Sequence, residues 1–337
     1  MKSPRKKDQK ITEQEKVDQR REEVLATGRK FKYPLQWTKH RIVVNTILIS
    51  FTVLAIVVAG VWLGLYRFNM TNDLLFRITE AIPLSVAKVD DENVRFSDYL
   101  MLYRSSINSI ERQSSNQFNE GSLDQLRANY QRSALTESEK YAYAIKLAKD
   151  LNIEVSSQEI ADEFNRHLNI GGIERSEEGF IKIIQDNFGL DKSEYERMLY
   201  LTFIKSKVEI ASDDNANQIA SQVESILAGN SNDYQKVVEA LGDQITYEET
   251  GGLVDNKNID GGRANEAMKL EPGQNSGKFI STNGDGYYFV KLISKTDTSV
   301  NFVSIKVPFT KFDEEFNALQ ESGKVSESIS IPNLENS

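Results

Sequence analysis

The 337-residue chain contains no cysteine, two histidines, two tryptophans and six prolines. Without cysteine there is no disulfide, no thiol nucleophile and no thiolate metal site, and an exported domain of this kind folds without oxidation. His40 and His167 are too few for a histidine triad or a histidine-based metal site, so no metal and no cofactor are expected. Charge is also missing from one long stretch. Ile42 to Tyr66 carries no charged residue and is bracketed by Arg41 and Arg67.

As a helix that run is about 37 Å long, enough to cross a hydrocarbon core of about 30 Å with some tilt. A cleaved signal has an apolar region of only about 7 to 15 residues close to the N-terminus. This one is longer and starts later, so a retained transmembrane helix is expected. Up to Arg41 there are 13 Lys and Arg against 6 Asp and Glu, a net of +7. That leaves −16 for the rest of a chain whose total is −9. Basic residues near a membrane-spanning end stay on the cytoplasmic side. The expected protein is therefore single-pass in the cell membrane, with its N-terminus cytoplasmic and its acidic remainder extracytoplasmic. The lipid bilayer is its first expected partner.

The remainder reads as an α+β multidomain chain. Residues 1–41 form a basic cytosolic tail in which Thr12 to Arg29 alternates acid and base, as a solvated helix does. Residues 42–66 are the span, and 67–85 a juxtamembrane linker. Val86 to Leu100, VAKVDDENVRFSDYL, reads as strand, turn, strand and a helix capped by Ser97. Gln113 to Ser122 reads as a loop. Thr136 and Glu139, Ser156 and Glu159, and Asp191 and Glu194 each have capping-box spacing, predicting three helix starts. A further short helix over Phe180 to Phe188 stops at Gly189. The aromatic residues at helical spacing, Tyr99, Tyr103, Tyr141 and Tyr195, read as core, and His167 as a packed helix residue.

Those motifs, in order, carry a resemblance. VAKVDDENVRFSDYL, then KLAKDLNIEVSSQEI (Lys146 to Ile160), then KSEYERML (Lys192 to Leu199), is similar to the N-terminal domain of SurA-type chaperones. The resemblance covers roughly Val86 to Ile210, assigned as a mostly helical domain over 86–210. It implies a cradle that binds unfolded or newly exported polypeptide.

Beyond Ile210, helices are expected at Ile219 to Ile226 and Tyr234 to Leu241, then glycine breaks at Gly251-Gly252 and Gly261-Gly262. A short helix follows from Ala264, then a hairpin of Phe279 to Thr282 with Tyr287 to Ile293, and a β-rich run, Val300 to Phe309. GGLV followed by ANEAMKLEPGQNSGKFISTNGDGYYFVKLIS resembles a parvulin-type prolyl isomerase domain, smaller and α+β, over 211–310. Residues 311–337 are a helix, a weak strand and a tail. The whole order resembles the anchored foldases of the SurA, PpiD and PrsA type.

The resemblance also exposes departures. Prolyl isomerisation must lower a barrier of about 18 to 20 kcal/mol between isomers differing by only about 0.5 to 1 kcal/mol. Parvulins place two histidines in the central polar cluster. Here Tyr288 stands at the second position, and the first has no histidine. Arg263 falls where the pocket phenylalanine is usual, and the family's acid or cysteine falls near Asp243 to Ile245. One extra residue separates Thr282 from Gly286. The family's opening strand is reduced to Lys207 to Ala211, and Val300 to Phe309 either replaces it or extends the sheet from outside. A degenerate, inactive site is therefore expected.

Were the domain active, Tyr288, Asp243 and Thr282 are the catalytic candidates. Gly251, Gly252, Met268, Leu270, Phe279 and Tyr288 are the candidates for peptide contact. The expected function is a membrane-anchored extracytoplasmic chaperone. An active peptidylprolyl cis/trans isomerase, or an envelope scaffold or accessory subunit of the protein translocation machinery, remain as alternatives. No nucleic-acid partner is expected.

Overall fold

The uncharged run continues the polar segment before it as one helix, α1, Glu13–Trp62. Within the hydrophobic stretch Thr46 and Thr52 donate their hydroxyls to the carbonyls of Ile42 and Leu48, both at 2.9 Å. Both hydroxyls are thus satisfied by the helix itself, as a low-dielectric surround demands. His40–Arg67, with a mean hydropathy of 2.6, is the one helical segment among the described residues long and apolar enough to cross a membrane. A computed structural model describes residues 13–114, 120–169, 174–229, 233–258 and 260–331. The chain divides into two compact units, Met1–Gly64 and Leu65–Ser337.

The second unit is built from its first residue onward. Leu65 is fully buried. The Tyr66 hydroxyl donates to Ser85 O at 2.8 Å, and its ring meets Phe96 edge-on at 5.5 Å. Helix α2, Asp73–Ala81, is capped by Asn72, whose Oδ1 accepts from Leu75 N. A hairpin follows, β1 Ser85–Val89 and β2 Glu92–Arg95, turning at Asp90 with φ +53°. Then come α3 Phe96–Ser114, α4 Glu120–Leu151, α5 Ser157–Leu168, α6 Glu177–Phe188 and α7 Lys192–Ser212. Helix α4 packs on both α3 and α7, α6 on α3, and α5 on α7. Tyr99, Tyr103, Tyr141 and Tyr195 are buried among them.

Two of the three expected capping boxes start helices. Ser156 with Glu159 opens α5, and Asp191 with Glu194 opens α7. The third does not: Thr136 and Glu139 lie inside α4, where a residue at capping position has no free N–H groups to satisfy. The helix expected to be capped by Ser97 begins at Phe96, and Ser97 is buried in its first turn. Of the loop expected over Gln113 to Ser122, Gln113 and Ser114 end α3 and residues 120–122 begin α4, while 115–119 lie outside the described residues. Lys207 to Ala211, expected as a strand, is the last part of α7. Leu201, Ile204 and Val208 recur at helical spacing and are all buried, which fixes that segment as helix.

The next elements are α8 Asp214–Gly229, α9 Tyr234–Leu241, a 3-10 turn Gly242–Gln244, β3 Thr246–Glu249, β4 Val254–Asp255 and α10 Arg263–Met268. They are followed by β5 Phe279–Ile280, β6 Gly286–Lys295 and β7 Ser299–Pro308. The sheet runs β3-β7-β6-β5, antiparallel throughout, with β4 also paired to β7. The β-rich run Val300 to Phe309 therefore sits inside the sheet, between β3 and β6.

Both faces of this sheet are covered, so β6 reads as a near-continuous apolar strand. Tyr287, Phe289, Ile305 and Val307 join Ile219, Val223, Val237 and Leu241 under α8 and α9. Val290, Leu292, Val300 and Phe302 join Ala264, Ala267 and Leu270 under α10. Gly286 starts β6 at φ +153°, and a Cβ there would lie 2.3 Å from Val307 O. Gly286→Ala is expected to cost more than about 2 kcal/mol, read as a lowered unfolding midpoint, because backbone on the central strand cannot yield.

The chain then returns to the helical part. Helix α11, Lys311–Glu321, packs on α7, and its Phe312 and Phe316 rings lie 5.1 and 6.1 Å from Tyr143 of α4. Strand β8, Val325–Glu327, pairs antiparallel with β1, making a sheet β2-β1-β8. The segment after 310 thus completes the first sheet. The α/β lobe is inserted between α7 and α11, and one buried carboxylate joins its two ends. Asp213 Oδ1 accepts from Ala216 N at 2.9 Å, while Oδ2 accepts from Thr310 N at 2.9 Å and Lys311 N at 3.2 Å. Asp213 is thereby used in capping.

Candidate functional site

Where the helical part faces the lobe there is a cleft of about 650 Å³. Tyr141, Arg166, Phe203 and Lys205 line one side, and Asn265 and Thr282 the other. The two sides approach closely where Gly284, at φ +72°, passes Ser206, since a Cβ at Gly284 would lie 3.1 Å from Ser206 Oγ. Lys205 Nζ reaches Glu137 at 3.0 Å and Glu209 at 4.0 Å. Burial alone would lower the Lys205 pKa, yet Glu137 and Glu209 hold it above the ordinary lysine range. Glu209 is pushed up to about 7, mainly by burial; Lys205 pulls it down, while Asp313 and Glu137 push it further up. The cleft therefore offers aromatic surface, hydroxyls and amides beside a charge cluster near neutrality. Such a lining suits a polypeptide, which brings both apolar side chains and unpaired main-chain groups.

A second cluster lies on the α10 face of the lobe. Strand pairing sets Phe279, Tyr288, Lys306 and Thr246 in one row across the sheet, with Ser304 and Glu248 opposite each other in the next. Tyr288 is buried, its hydroxyl donating to Asp285 Oδ2 at 3.3 Å, and Lys306 forms an ion pair with the same oxygen. Arg263 lies 5.1 Å above the Tyr288 ring, donates to Ser304 Oγ at 3.3 Å and pairs with Glu248. Burial first, then the Asp285 charge, raises the Tyr288 pKa. Asp285 is lowered despite its burial, because Lys306 hydrogen-bonds to it, and Lys306 is raised in return. At neutral pH the three are phenol, carboxylate and ammonium, none of them close to exchanging a proton. Acid–base chemistry works best with a pKa near the working pH.

The structure brings some of the expected site residues together and not others. Tyr288 and Phe279 stack at 6.1 Å. Leu270 is buried in the apolar cluster under α10, with Met268 and Phe279 half-buried at its edge. Thr282 is exposed, packs beside Gly262 and lines the large cleft. Gly251 and Gly252 lie in the turn between β3 and β4, Gly251 at φ +66°. Asp243 lies exposed in the 3-10 turn between Leu241 and Ile245, which both pack on the α8–α9 side. Tyr288 belongs to the opposite face. His167 is a packed helix residue, its Nδ1 2.7 Å from Tyr195 Oη and its Nε2 3.1 Å from Glu163. Among the described residues no group of three acidic or histidine side chains could hold a metal ion.

Sequence reading missed the Asp285–Lys306 pair and the Lys205–Glu209 cluster. The first had a visible signal: Ser304 and Lys306 alternate with Val303, Ile305 and Val307, marking a polar row on one face of β7. The second had half a signal: Lys205 and Glu209 stand four apart on α7, while Glu137 joins them only through packing of α4 on α7.

Compared with known protein families, residues 35–200 match the SurA-like N-terminal domain. No curated protein matches the chain. The matched segment takes in the apolar helix, α2, the β1–β2 hairpin and α3 to α6, and ends inside α7. The match supports a SurA-like, chaperone-type domain in the mostly helical region, with one candidate membrane-spanning helix inside the matched segment and a smaller, sheet-containing region after it.

Proposed function

We propose that the protein is a membrane-anchored extracytoplasmic chaperone that holds unfolded exported polypeptides in the cleft between its SurA-like domain and its α/β lobe. The observation that carries this reading is the SurA-like match over residues 35–200, which takes in an uncharged 25-residue run and the helices that follow it. Retention of that run is supported by its last residues, since Leu65 and Tyr66 pack inside the second unit and belong to its fold. The excess of basic residues before Arg41 supports a cytoplasmic N-terminus.

The lobe resembles a parvulin domain and serves here as a second contact surface without isomerase catalysis. Support comes from the Tyr288–Asp285–Lys306 cluster, whose buried phenol is covered by Arg263 and Phe279. A twisted amide needs a pocket for proline and free polar groups that favour the twisted state. Here the Tyr288 hydroxyl and the Lys306 ammonium are both already engaged by Asp285 Oδ2.

The test uses the full chain in lipid nanodiscs, with an aggregating unfolded protein and a proline peptide assayed in parallel. Suppression of aggregation at near-stoichiometric ratio, with no acceleration of cis/trans isomerisation and no change in Tyr288→Phe, is expected. Catalysis abolished by Tyr288→Phe would make the lobe an active isomerase. Neither activity, together with a stable stoichiometric membrane partner, would favour a scaffold or translocation-accessory role.

A further inference from the structure

Helix α2 has more apolar surface than the protein covers. At about 100° per residue its side chains fall into three sectors. Leu75, Phe76 and Thr79 point inward and are buried. Asp73, Arg77 and Glu80 share a second sector, where Asp73 pairs with Arg104, and Arg77 with Glu80, Asp191 and Glu194. Leu74, Ile78 and Ala81, with Ile82 just beyond the helix end, form the third. Leu74 is 72% exposed and Ile82 53%. Phe68 and Met70, just ahead of the helix, are 66% and 47% exposed. Four large apolar side chains thus lie open within 15 residues, beside charges already engaged with the protein.

Sequence position says what covers them. The apolar segment ends at Arg67 and Phe68 is the next residue. Seven residues from Arg67 to Leu74 reach at most about 25 Å, and the anchoring of Tyr66 and Asn69 to Ser85 and Ser330 removes slack from that reach. We infer that Phe68, Met70, Leu74 and Ile82 form a membrane-docking face that inserts into the boundary between headgroups and acyl chains. The inference rests on the proposed membrane anchoring. An amphipathic helix held at that depth gains by burying its apolar sector while its charged sector stays at the protein side. The chain beyond Arg41 carries −16, so anionic headgroups repel it and the attraction is apolar. The partner is therefore a zwitterionic or neutral lipid surface. Docking would fix the orientation of the SurA-like domain close to the membrane from which exported chains emerge.

The absence of cysteine makes the test direct, since one introduced thiol carries one label. Leu74→Cys and Phe68→Cys, each labelled with an environment-sensitive fluorophore, are compared in full-length protein in phosphatidylcholine vesicles with Ile56→Cys in the apolar helix and Leu253→Cys on the lobe. Lipids carrying a quencher near the headgroup or deep in the acyl chain report depth. Shallow quenching of at least about twofold at positions 68 and 74, deep quenching at 56 and none at 253 is the expected pattern. Deep quenching at 56 with positions 68 and 74 in water overturns the docking face and leaves the anchor standing. A blue-shifted label at 74 that no lipid quencher reaches also overturns it, because protein would then cover the stripe. No quenching at 56 removes the anchor itself, and the inference with it.

Discussion

Asp213→Ala is expected to destabilise the second unit by about 3 kcal/mol, since it removes three hydrogen bonds from buried main-chain donors to one carboxylate. The loss falls on two helices at once. Ala216 N belongs to the first turn of α8, Thr310 N and Lys311 N to the start of α11, and the residue is 1% exposed. Asp213→Asn keeps one acceptor oxygen and should lose roughly half as much. Both tryptophans, Trp37 and Trp62, lie in α1, so unfolding of the second unit is best followed by circular dichroism or tyrosine emission. Equal midpoints for Asp213→Ala and wild type would contradict the clasp.

Glu139 should make the protein less stable as pH rises. Its carboxyl is wholly buried in α4, and neither oxygen has a hydrogen-bond partner. Burial raises its pKa to about 8; the Glu327 charge adds to the rise, and Arg132 opposes it. Arg132 is already engaged with Glu327 at 2.5 Å, across the β8 segment. A folded-state pKa above the unfolded one means the native state holds the extra proton. Stability is therefore full below the unfolded value near 4.5 and declines as pH rises toward about 8. Glu209, raised to about 7, adds in the same direction. Glu139→Gln should flatten the profile and exceed wild type at pH 9 by on the order of 3 kcal/mol. A wild-type unfolding midpoint that is flat or rises between pH 5 and 9 would contradict a buried neutral carboxyl.

Much of the architecture follows from local chemistry that one sequence displays. The capping boxes at Ser156 and Asp191 mark helix starts because their side chains answer N–H groups only a few residues away. Thr136 and Glu139 show the limit of that signal: the same spacing inside a continuous helix caps nothing, and Glu139 is turned instead into a buried acid. Lys207 to Ala211 was ambiguous for a related reason. A short β-branched segment fits strand or helix until Leu201, Ile204 and Val208 show which period is buried.

The candidate sites divide along the same line. The Tyr288 position was legible because strand alternation and motif order place it. The cleft was not, because its walls come from α4, α5, α7, α10 and the β5–β6 turn, distant in sequence and joined only by packing. Half of the Asp213 clasp could be read, the cap of α8. The other half depends on a donor 97 residues away.

The most direct test of the proposed client site is photo-cross-linking from the full chain in nanodiscs to an unfolded polypeptide. Probes at Phe203 and Thr282, which line opposite walls of the cleft, should both capture the client. A probe at exposed Lys236 on α9 should not. Capture from Lys236 with none from Phe203 or Thr282 would contradict binding in the cleft.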